Sequence, residues 1–246
     1  MGIAWRTAAA WYDSGENDVH SSQQPDSATM LLSRLHFPVD NIGYGIRAGI
    51  WFQGCRVFCR GCLARDTWVF DESTRCGVDV VLDWLGALPV DQVDGVTISG
   101  GEPTDQPVAL RALLDGIDAW RAQRKRPADI LLYSGRPTAL LDDQFPWLRS
   151  SVDVLVTEPF VAAQAGDDAL RGSANQRVLV GTELGRERYA AAELEDAYAD
   201  QRHRMGVHVD GDSIRLVGIP LPGDMTRLGV ALADRGVRPQ RTSWLT

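Results

Sequence analysis

The chain has 246 residues, of which 44% are hydrophobic, and its net charge is −8 at pH 7. This length supplies enough apolar material for one large α/β domain or two small ones. The acidic balance argues against a nucleic-acid surface, and no apolar stretch approaches the roughly 20 residues of a membrane span. Because no signal peptide is recognisable either, we expect a soluble cytoplasmic protein in a reducing compartment.

The first 30 residues differ in composition from the rest of the chain. Residues 11–29 are rich in Asp, Ser, Gln and Asn without an apolar period, so we predict that residues 1–30 form an extended or partly disordered lead-in. Residues 31–246 contain no repeat and no linker, so we predict a single domain there. The predicted strands comprise residues 46–52, 95–99, 130–133, 152–156, 177–180, 207–210 and 213–217. The predicted helices comprise residues 78–88, 108–124, 138–143, 187–202 and 225–235.

This alternation of strands and helices predicts an α/β fold. Strands that alternate with helices form a parallel sheet with right-handed crossovers. There are too few strands for a closed eight-fold barrel, so we predict a partial (β/α) barrel of about five or six units. The last two strands flank Asp210-Gly211-Asp212 and predict a hairpin. In parallel sheets, functional residues collect at the C-terminal ends of the strands.

Three cysteines follow the first predicted strand directly. Cys55, Cys59 and Cys62 have the spacing C-x₃-C-x₂-C. A [4Fe–4S] cluster that only carries electrons usually has four thiolate ligands, so three close thiolates predict a cluster with one iron open to a substrate. The cysteines alone also permit a zinc site with Cys76 as fourth ligand, or buried or redox-active thiols. By itself Cys76 is expected to be a small apolar residue.

Polar and glycine residues follow two further predicted strands and precede a third. The segment Gly100-Gly101-Glu102-Pro103 comes after strand 95–99, and a plain turn explains it equally well when it is taken alone. Ser134, after strand 130–133, predicts either a ligand contact or a turn cap. Asn175 lies in the polar segment 171–176, which predicts either a locked loop or part of a ligand pocket.

Together, the cysteine spacing and the Gly-Gly-Glu-Pro segment resemble the radical S-adenosylmethionine (SAM) superfamily. Within it, the chain is similar to the enzymes that activate anaerobic ribonucleotide reductase and pyruvate formate-lyase. The segments that carry this similarity are residues 43–47, 53–55, 59–62, 67–68, 99–103 and 171–176. The resemblance implies a [4Fe–4S] cluster held by Cys55, Cys59 and Cys62, whose open iron binds SAM. It also implies that one electron splits SAM into methionine and a 5′-deoxyadenosyl radical.

The resemblance further implies a SAM site and two protein partners. Glu102 would accept a hydrogen bond from the SAM ammonium, and the site would comprise Gly100, Gly101, Glu102, Pro103, Ser134 and Asn175. The implied partners are a glycyl-radical enzyme, which loses a hydrogen atom from a backbone glycine, and a flavodoxin- or ferredoxin-like electron donor. The alternatives are a radical SAM enzyme that modifies a small molecule, nucleoside or peptide, and a non-catalytic Fe–S or zinc protein that binds a partner.

The sequence departs from that group at two places. Residues 157–158 are Thr-Glu where the group often has Asp-Gly, and residues 63–64 are Leu-Ala in place of Tyr-Asn. No role of that Asp can therefore be transferred to this chain. These departures leave the predicted cluster and SAM chemistry intact and bear on the identity of the partner.

Overall fold

The structure is a computed structural model that describes residues 28–189, 205–210, 213–239 and 242. The strands are β1 (Thr29–Val39), β2 (Arg47–Phe52), β3 (Arg75–Gly77), β4 (Gly95–Gly100), β5 (Asp129–Tyr133), β6 (Val154–Thr157), β7 (Arg177–Val180), β8 (Gly206–Asp210) and β9 (Ser213–Val217). The helices are α1 (Val78–Gly86), α2 (Pro107–Ala122), α3 (Thr138–Gln144), α4 (Leu148–Ser151), α5 (Glu183–Tyr189) and α6 (Asp224–Asp234).

Seven strands form one mixed sheet with a parallel centre, in the order β3-β1-β2-β4-β5-β6-β7. The neighbours β2, β4, β5 and β6 are parallel, and helices separate them along the chain. Antiparallel pairings join β3 to β1, β1 to β2, and β7 to β6. The predicted α/β fold, with a parallel core alternating with helices as in a partial barrel, is confirmed.

The edges of the sheet differ from the prediction. Strand β7 occupies the predicted residues 177–180, but it runs antiparallel to β6 because no helical crossover separates the two. Strands β1 and β3 were not predicted, since β1 mixes apolar residues with Arg34, His36 and Pro38 and has no clean alternation. Strand β1 begins at Thr29, just inside the predicted lead-in, whose residues 1–27 lie outside the described ones. Only 187–189 of the predicted helix 187–202 are described, and they belong to α5.

The main hydrophobic core lies between the sheet and helices α1 and α2. The apolar stripe of α2 is buried as its 3.6-residue period predicts, through Leu110, Leu113, Leu114 and Ile117. These side chains pack on alternate residues of the parallel strands, including Ile50 of β2. The remaining strand residues face the other side of the sheet, where a smaller cluster forms around β5, β6 and Tyr189. The parallel strands are therefore covered on both faces, as parallel sheets require.

A buried ion pair holds the N-terminal edge of the parallel strands. Arg47, at the start of β2, donates to Asp129, at the start of β5, at 2.6 Å, and neither side chain is exposed to solvent. Arg188 of α5 reaches the second oxygen of the same carboxylate at 2.7 Å, and the Tyr189 hydroxyl is a further donor at 3.1 Å. Because a buried charge is costly unless it is paired and hydrogen-bonded, these contacts fix β2, β5 and α5 relative to one another.

The predicted hairpin at the C-terminal end of the chain is confirmed. Strands β8 and β9 form a separate two-stranded antiparallel sheet. Val217 of β9 packs against Val39 and Ile42, and its carbonyl accepts a hydrogen bond from Asn41 at 2.7 Å. Among the described residues, no helix is both long and apolar enough to cross a membrane.

Candidate functional site

The three cysteines lie in a loop without strand structure that follows the C-terminal end of β2. Cys55 is buried, whereas Cys59 and Cys62 are partly exposed, and all three are free thiols. The backbone N–H of Val57 donates to the Sγ atom of Cys55 at 3.4 Å. The backbone N–H of Cys62 donates to the carbonyl of Cys59 at 3.0 Å, which closes a tight turn between the last two cysteines. The spacing of the cysteines thus folds into one compact loop.

The start of this loop is held by the segment that follows it. The backbone N–H groups of Gly54 and Cys55 donate to the carbonyls of Thr67 and Trp68 at 2.7 and 3.0 Å. The side chain of Gln53 is buried and donates to the carbonyls of Asp66 and Val69 at 3.0 and 2.8 Å. Because the loop lacks a ladder of its own, its backbone groups are satisfied by these contacts from outside.

The Gly-Gly-Glu-Pro segment lies directly against the same loop. The backbone N–H of Gly101 donates to the carbonyl of Phe52 at 2.8 Å, and that of Glu102 donates to the carbonyl of Gly54 at 2.9 Å. A Cβ atom on Gly100 would lie 2.4 Å from backbone atoms of Phe52, and one on Gly101 would lie 2.1 Å from the carbonyl oxygen of Gly54. Only glycine permits this approach, so both glycines are explained by contact with the protein's own backbone.

Glu102 is buried, and its carboxylate accepts four hydrogen bonds from the protein. Oε1 accepts from the N–H and the hydroxyl of Thr104 at 3.1 and 2.7 Å, and from the Ser134 hydroxyl at 2.9 Å. Oε2 accepts from the N–H of Gly135 at 2.8 Å. Burial raises the pKa of Glu102, and these hydrogen bonds oppose the rise. Glu102 therefore joins the ends of β4 and β5. Among the described residues, Oε1 already has three donors and Oε2 has one, so Oε2 is the oxygen that can accept a further hydrogen bond.

Two neighbours of Glu102 complete this junction. Pro103 is buried and begins a single 3-10 turn, Pro103–Asp105, which Glu102 caps. The Ser134 hydroxyl, besides donating to Glu102, accepts from the backbone N–H of Arg136 at 3.2 Å. Both hydrogen-bonding roles of Ser134 are thus used within the protein, in the manner of the turn cap that the sequence allowed.

Asp105 is a site residue that the sequence analysis missed. Its side chain is almost fully buried, and Oδ2 accepts the backbone N–H of Arg56 at 2.7 Å, immediately after Cys55. Oδ1 is paired with Arg136. The one signal in the sequence is its position, three residues after Glu102. A carboxylate that is buried so close to a motif needs hydrogen-bond partners. Asp105 anchors the cysteine loop at its first ligand candidate.

The loop between β6 and β7 also contacts the cysteine loop. Burial raises the pKa of Cys59, and a hydrogen bond from the backbone N–H of Phe160 opposes that rise. The side chain of Asn175 donates to the carbonyl of Pro159 at 2.8 Å and accepts from the Ser173 hydroxyl at 2.7 Å. In turn, Ser173 accepts from the N–H of Val161 at 3.1 Å. The polar segment 171–176 therefore contains the loop lock that was one of its two predicted roles.

Cys76 lies apart from this arrangement. It belongs to β3, pairs with Met30 of β1, and packs against the main hydrophobic core. Burial and the nearby Asp79 raise its pKa to about 11, so the thiol is neutral at pH 7. Among the described residues, no group of three or more His, Cys, Asp or Glu side chains is placed to hold a single metal ion. A four-iron cube is wider than one ion, so its ligand sulfurs stand farther apart.

The donor set of the loop suits an iron–sulfur cluster. The nine residues from Gly54 to Cys62 contain three thiols. Thiolates are the soft ligands that iron–sulfur clusters use. Burial raises the pKa of Cys55, and the N–H groups of Phe58 and Val57 oppose that effect. Such backbone donors stabilise a thiolate once a metal replaces the thiol proton.

Comparison with known proteins decides the family. Residues 42–179 match the family described as "4Fe-4S single cluster domain", which is more than half of the chain. The chain belongs to this family. It is a radical SAM enzyme whose cofactors are a [4Fe–4S] cluster and SAM. The matched residues begin before β2 and end within β7, so they include the cysteine loop, the Gly-Gly-Glu-Pro segment and the lock around Asn175.

Two curated relatives share one name. The chain is 33% identical over 147 residues to the anaerobic ribonucleoside-triphosphate reductase-activating protein of Vibrio cholerae serotype O1, a match that covers 57% of this chain and 92% of the relative. It is 28% identical over 148 residues to the protein of the same name from Pasteurella multocida, again over 57% and 92%. Among solved structures, QueE from Escherichia coli matches with a TM-score of 0.37 and 19% identity, over 47% of this chain and 57% of that one.

The backbone conformation is unusual at residues 157–158, where the chain has Thr-Glu in place of Asp-Gly. Glu158 has a φ of +79°, a left-handed conformation that glycine adopts freely and other residues adopt at a cost. Its carboxylate accepts the N–H and the hydroxyl of Thr138, the first residue of α3, at 2.9 and 3.0 Å. We infer that Glu158 offsets the strain with these hydrogen bonds, which gives the residue a structural role at the end of β6.

Substitution of Glu158 separates the backbone strain from the hydrogen bonds to Thr138. Both Glu158→Gly and Glu158→Ala lose the bonds to Thr138, but only glycine relieves the backbone. We expect the alanine variant to have a free energy of unfolding about 1–2 kcal/mol below that of the glycine variant in denaturant titrations. Asp115→Ala and Asp115→Gly, in the middle of α2, serve as the control. There the glycine variant should have the lower free energy of unfolding, by about 1 kcal/mol, because glycine is the poorer helix former. Equal stability of the two Glu158 variants would contradict the strain.

Proposed function

We propose that this enzyme activates a glycyl-radical partner. The observation that carries the proposal is the 33% identity to the activating protein of Vibrio cholerae, because the match covers 92% of that protein. When bound, the cluster and SAM would supply one electron and a cleavable carbon–sulfur bond, which would give methionine and a 5′-deoxyadenosyl radical able to take the Cα hydrogen atom from a partner's backbone glycine. An oxygen-labile cluster and partner radical suit a reducing cytoplasm.

We further propose which residues hold the two cofactors. Cys55, Cys59 and Cys62 ligate three irons, and their loop is kept in register by the backbone of Gly100 and Gly101. SAM would be held next to the segment 100–103, at the C-terminal ends of the parallel strands, with the Glu102 carboxylate as the acceptor for its ammonium. Ser134 acts by holding Glu102, and Asn175 acts by holding the backbone beside Cys59, so both are positioning residues.

The ligand set can be tested by single cysteine substitutions. After anaerobic reconstitution the protein should contain about four irons per chain, and Cys76→Ala should retain them together with the EPR signal of the reduced cluster. Cys55→Ala, Cys59→Ala and Cys62→Ala should each lose most of the iron, because one missing thiolate leaves a second iron unprotected. Loss of the cluster in the Cys76 variant would show that four protein thiolates are needed and would overturn the proposed set.

The role of Glu102 can be separated from that of Ser134. Glu102→Ala should weaken SAM binding by about 10- to 150-fold, the equivalent of a charge-assisted hydrogen bond of about 1.5–3 kcal/mol. It should also lower the free energy of unfolding by about 2–4 kcal/mol, since the buried N–H of Thr104 and the partly buried N–H of Gly135 lose their acceptor. Ser134→Ala removes one donor to Glu102 and the acceptor of the Arg136 N–H, and should cost about 1–2 kcal/mol. If titrations of the Glu102 variant showed unchanged SAM affinity, the Glu102 carboxylate would not be the acceptor of the SAM ammonium.

The proposed partner can be tested by EPR spectroscopy. The reduced enzyme and SAM are incubated with the product of a neighbouring gene whose C-terminal region resembles a glycyl-radical protein. We expect a doublet signal on that partner and one 5′-deoxyadenosine per radical. The Cys59→Ala variant serves as the control and should give neither product. Formation of 5′-deoxyadenosine together with a modified metabolite, but without a partner radical, would favour a small-molecule substrate instead.

A further inference from the structure

The face of the sheet opposite to α1 and α2 carries one row of residues close to the strand ends. The registers of the parallel strands place Trp51, Ser99, Tyr133 and Val156 side by side on β2, β4, β5 and β6. Their neighbours along each strand belong to the main hydrophobic core, so these four side chains lie on the other face of the sheet. We call these four residues the concave layer.

Three members of the concave layer are only partly covered. Trp51, Ser99 and Tyr133 are half-buried, whereas Thr97 and Leu131, one step deeper on the same face, are completely buried. The layer lies one residue before the ends of β2 and β4, where the cysteine loop and the Gly-Gly-Glu-Pro segment begin. Because a parallel sheet is normally covered on both faces, the half-buried layer marks a cavity beside the proposed SAM site.

The indole ring of Trp51 is folded back along β2. A Cβ atom on Gly49, two residues earlier on the same face, would lie 2.3 Å from the far edge of the indole, so glycine is needed beneath the ring. The ring also packs against the cluster of Val39, Ile42 and Val217. Val217 belongs to the hairpin β8–β9, which lies outside the residues 42–179 that match the family. The position of Trp51 is therefore fixed by Gly49 below and by the hairpin.

The concave layer offers the cavity one free hydroxyl and no charge. Within the described part of the chain, the Ser99 hydroxyl has no hydrogen-bond partner. The Tyr133 hydroxyl is buried. Burial raises the pKa of Tyr133, and the further effects of Tyr189 and Arg47 place its hydroxyl on the side of the buried ion pair. That ion pair, between Arg47 and Asp129, is itself closed off from solvent. The cavity is thus lined mainly by two aromatic rings.

This lining suits an uncharged peptide segment better than a small polar metabolite. A site for a small polar molecule needs several convergent polar groups, and a charged substrate that leaves water needs an opposite charge. Neighbouring strands lie about 4.8 Å apart, so the backbones of β2 and β5 stand roughly 10 Å apart on either side of Ser99. This width admits one extended segment. Because the rings of Trp51 and Tyr133 occupy the depth of the cavity, a large side chain on that segment is excluded.

We propose that Trp51 is a specificity-determining residue, which restricts the cavity to a peptide segment that has glycine at the reacting position. The Ser99 hydroxyl forms a hydrogen bond to a peptide group of this segment. The inference rests on the proposed function and deepens it, since it states how the glycine that loses its Cα hydrogen atom is recognised. The face of the Trp51 ring limits how far the segment can move from the reacting position, and the hairpin holds the ring in place.

The first test measures how closely hydrogen abstraction is coupled to SAM cleavage. The probe is the glycyl-radical-like product of a neighbouring gene, prepared with dideuterated glycine, and mass spectrometry gives the deuterated fraction of the 5′-deoxyadenosine formed. We expect Trp51→Ala to lower this fraction by about 10- to 100-fold, because a small displacement of the reacting carbon is costly. Trp84→Ala is the matched control and should change the fraction by less than about 2-fold, since Trp84 is also half-buried but packs on the main core from α1.

A milder variant covers the case in which Trp51→Ala does not assemble a cluster. Trp51→Phe keeps an aromatic ring but shortens it, so that it no longer reaches as far over Gly49. We expect the deuterated fraction to fall by about 3-fold in this variant.

Binding of the same substrate protein, measured by calorimetry without SAM or reductant, provides a second readout. Gly49→Ala should raise the dissociation constant by about 10-fold, because the added methyl group pushes the Trp51 ring into the cavity. In a Trp51→Ala background the same change should alter the dissociation constant by less than about 2-fold, since the ring is absent. Ser99→Ala should raise the dissociation constant by about 2- to 10-fold, the equivalent of one hydrogen bond.

The outcomes separate this inference from the proposed function. If the unsubstituted enzyme transfers deuterium but the Trp51 variants retain its coupling, the glycyl-radical partner stands and the role of Trp51 is wrong. Additive effects of Gly49→Ala and Trp51→Ala on binding would likewise overturn that role. If the unsubstituted enzyme transfers no deuterium from the substrate protein, the proposed function is contradicted and the inference falls with it.

Discussion

The site depends on a buried carboxylate that joins loops from different strands. Glu102 leaves the end of β4 and accepts hydrogen bonds from Ser134 and Gly135 at the end of β5, while its own backbone binds the loop after β2. Three neighbouring strand ends are thus tied at one point. A buried carboxylate with four donors strongly resists displacement, because moving any of the loops would leave polar groups without partners. The motif therefore works as a structural junction.

The cysteine loop illustrates why such a junction is needed. A segment that wraps a cluster cannot form a helix or strand, so its backbone must find hydrogen bonds elsewhere. Here they come from three directions: from residues 67–68, from the backbone of 101–102 with Asp105, and from the loop that Asn175 stabilises. The side chains of Arg56 and Phe58 in this loop remain exposed.

Much of the parallel core could be predicted from local pattern. The period of α2, the short buried strands and the hairpin are local properties of the sequence, and all are found at or near the predicted residues. Strands β1 and β3 could not be predicted, since their pairing partners are distant in sequence and their residues lack alternation. The ionic contacts of Arg47 with Asp129 were equally invisible, because 82 residues separate the pair.

By itself the sequence determined the cofactor class through a resemblance: three closely spaced thiols and a Gly-Gly-Glu-Pro segment are local features, and together they resemble the radical SAM superfamily. Only the tertiary structure decided what the other polar residues do. Had β7 run parallel to β6, its start and Asn175 would lie at the edge opposite the cysteines. Its antiparallel direction brings the segment 171–176 back to the C-terminal edge, where Asn175 meets Pro159. Strand direction is set by the path of the connection and by pairing across the sheet, which no local pattern encodes.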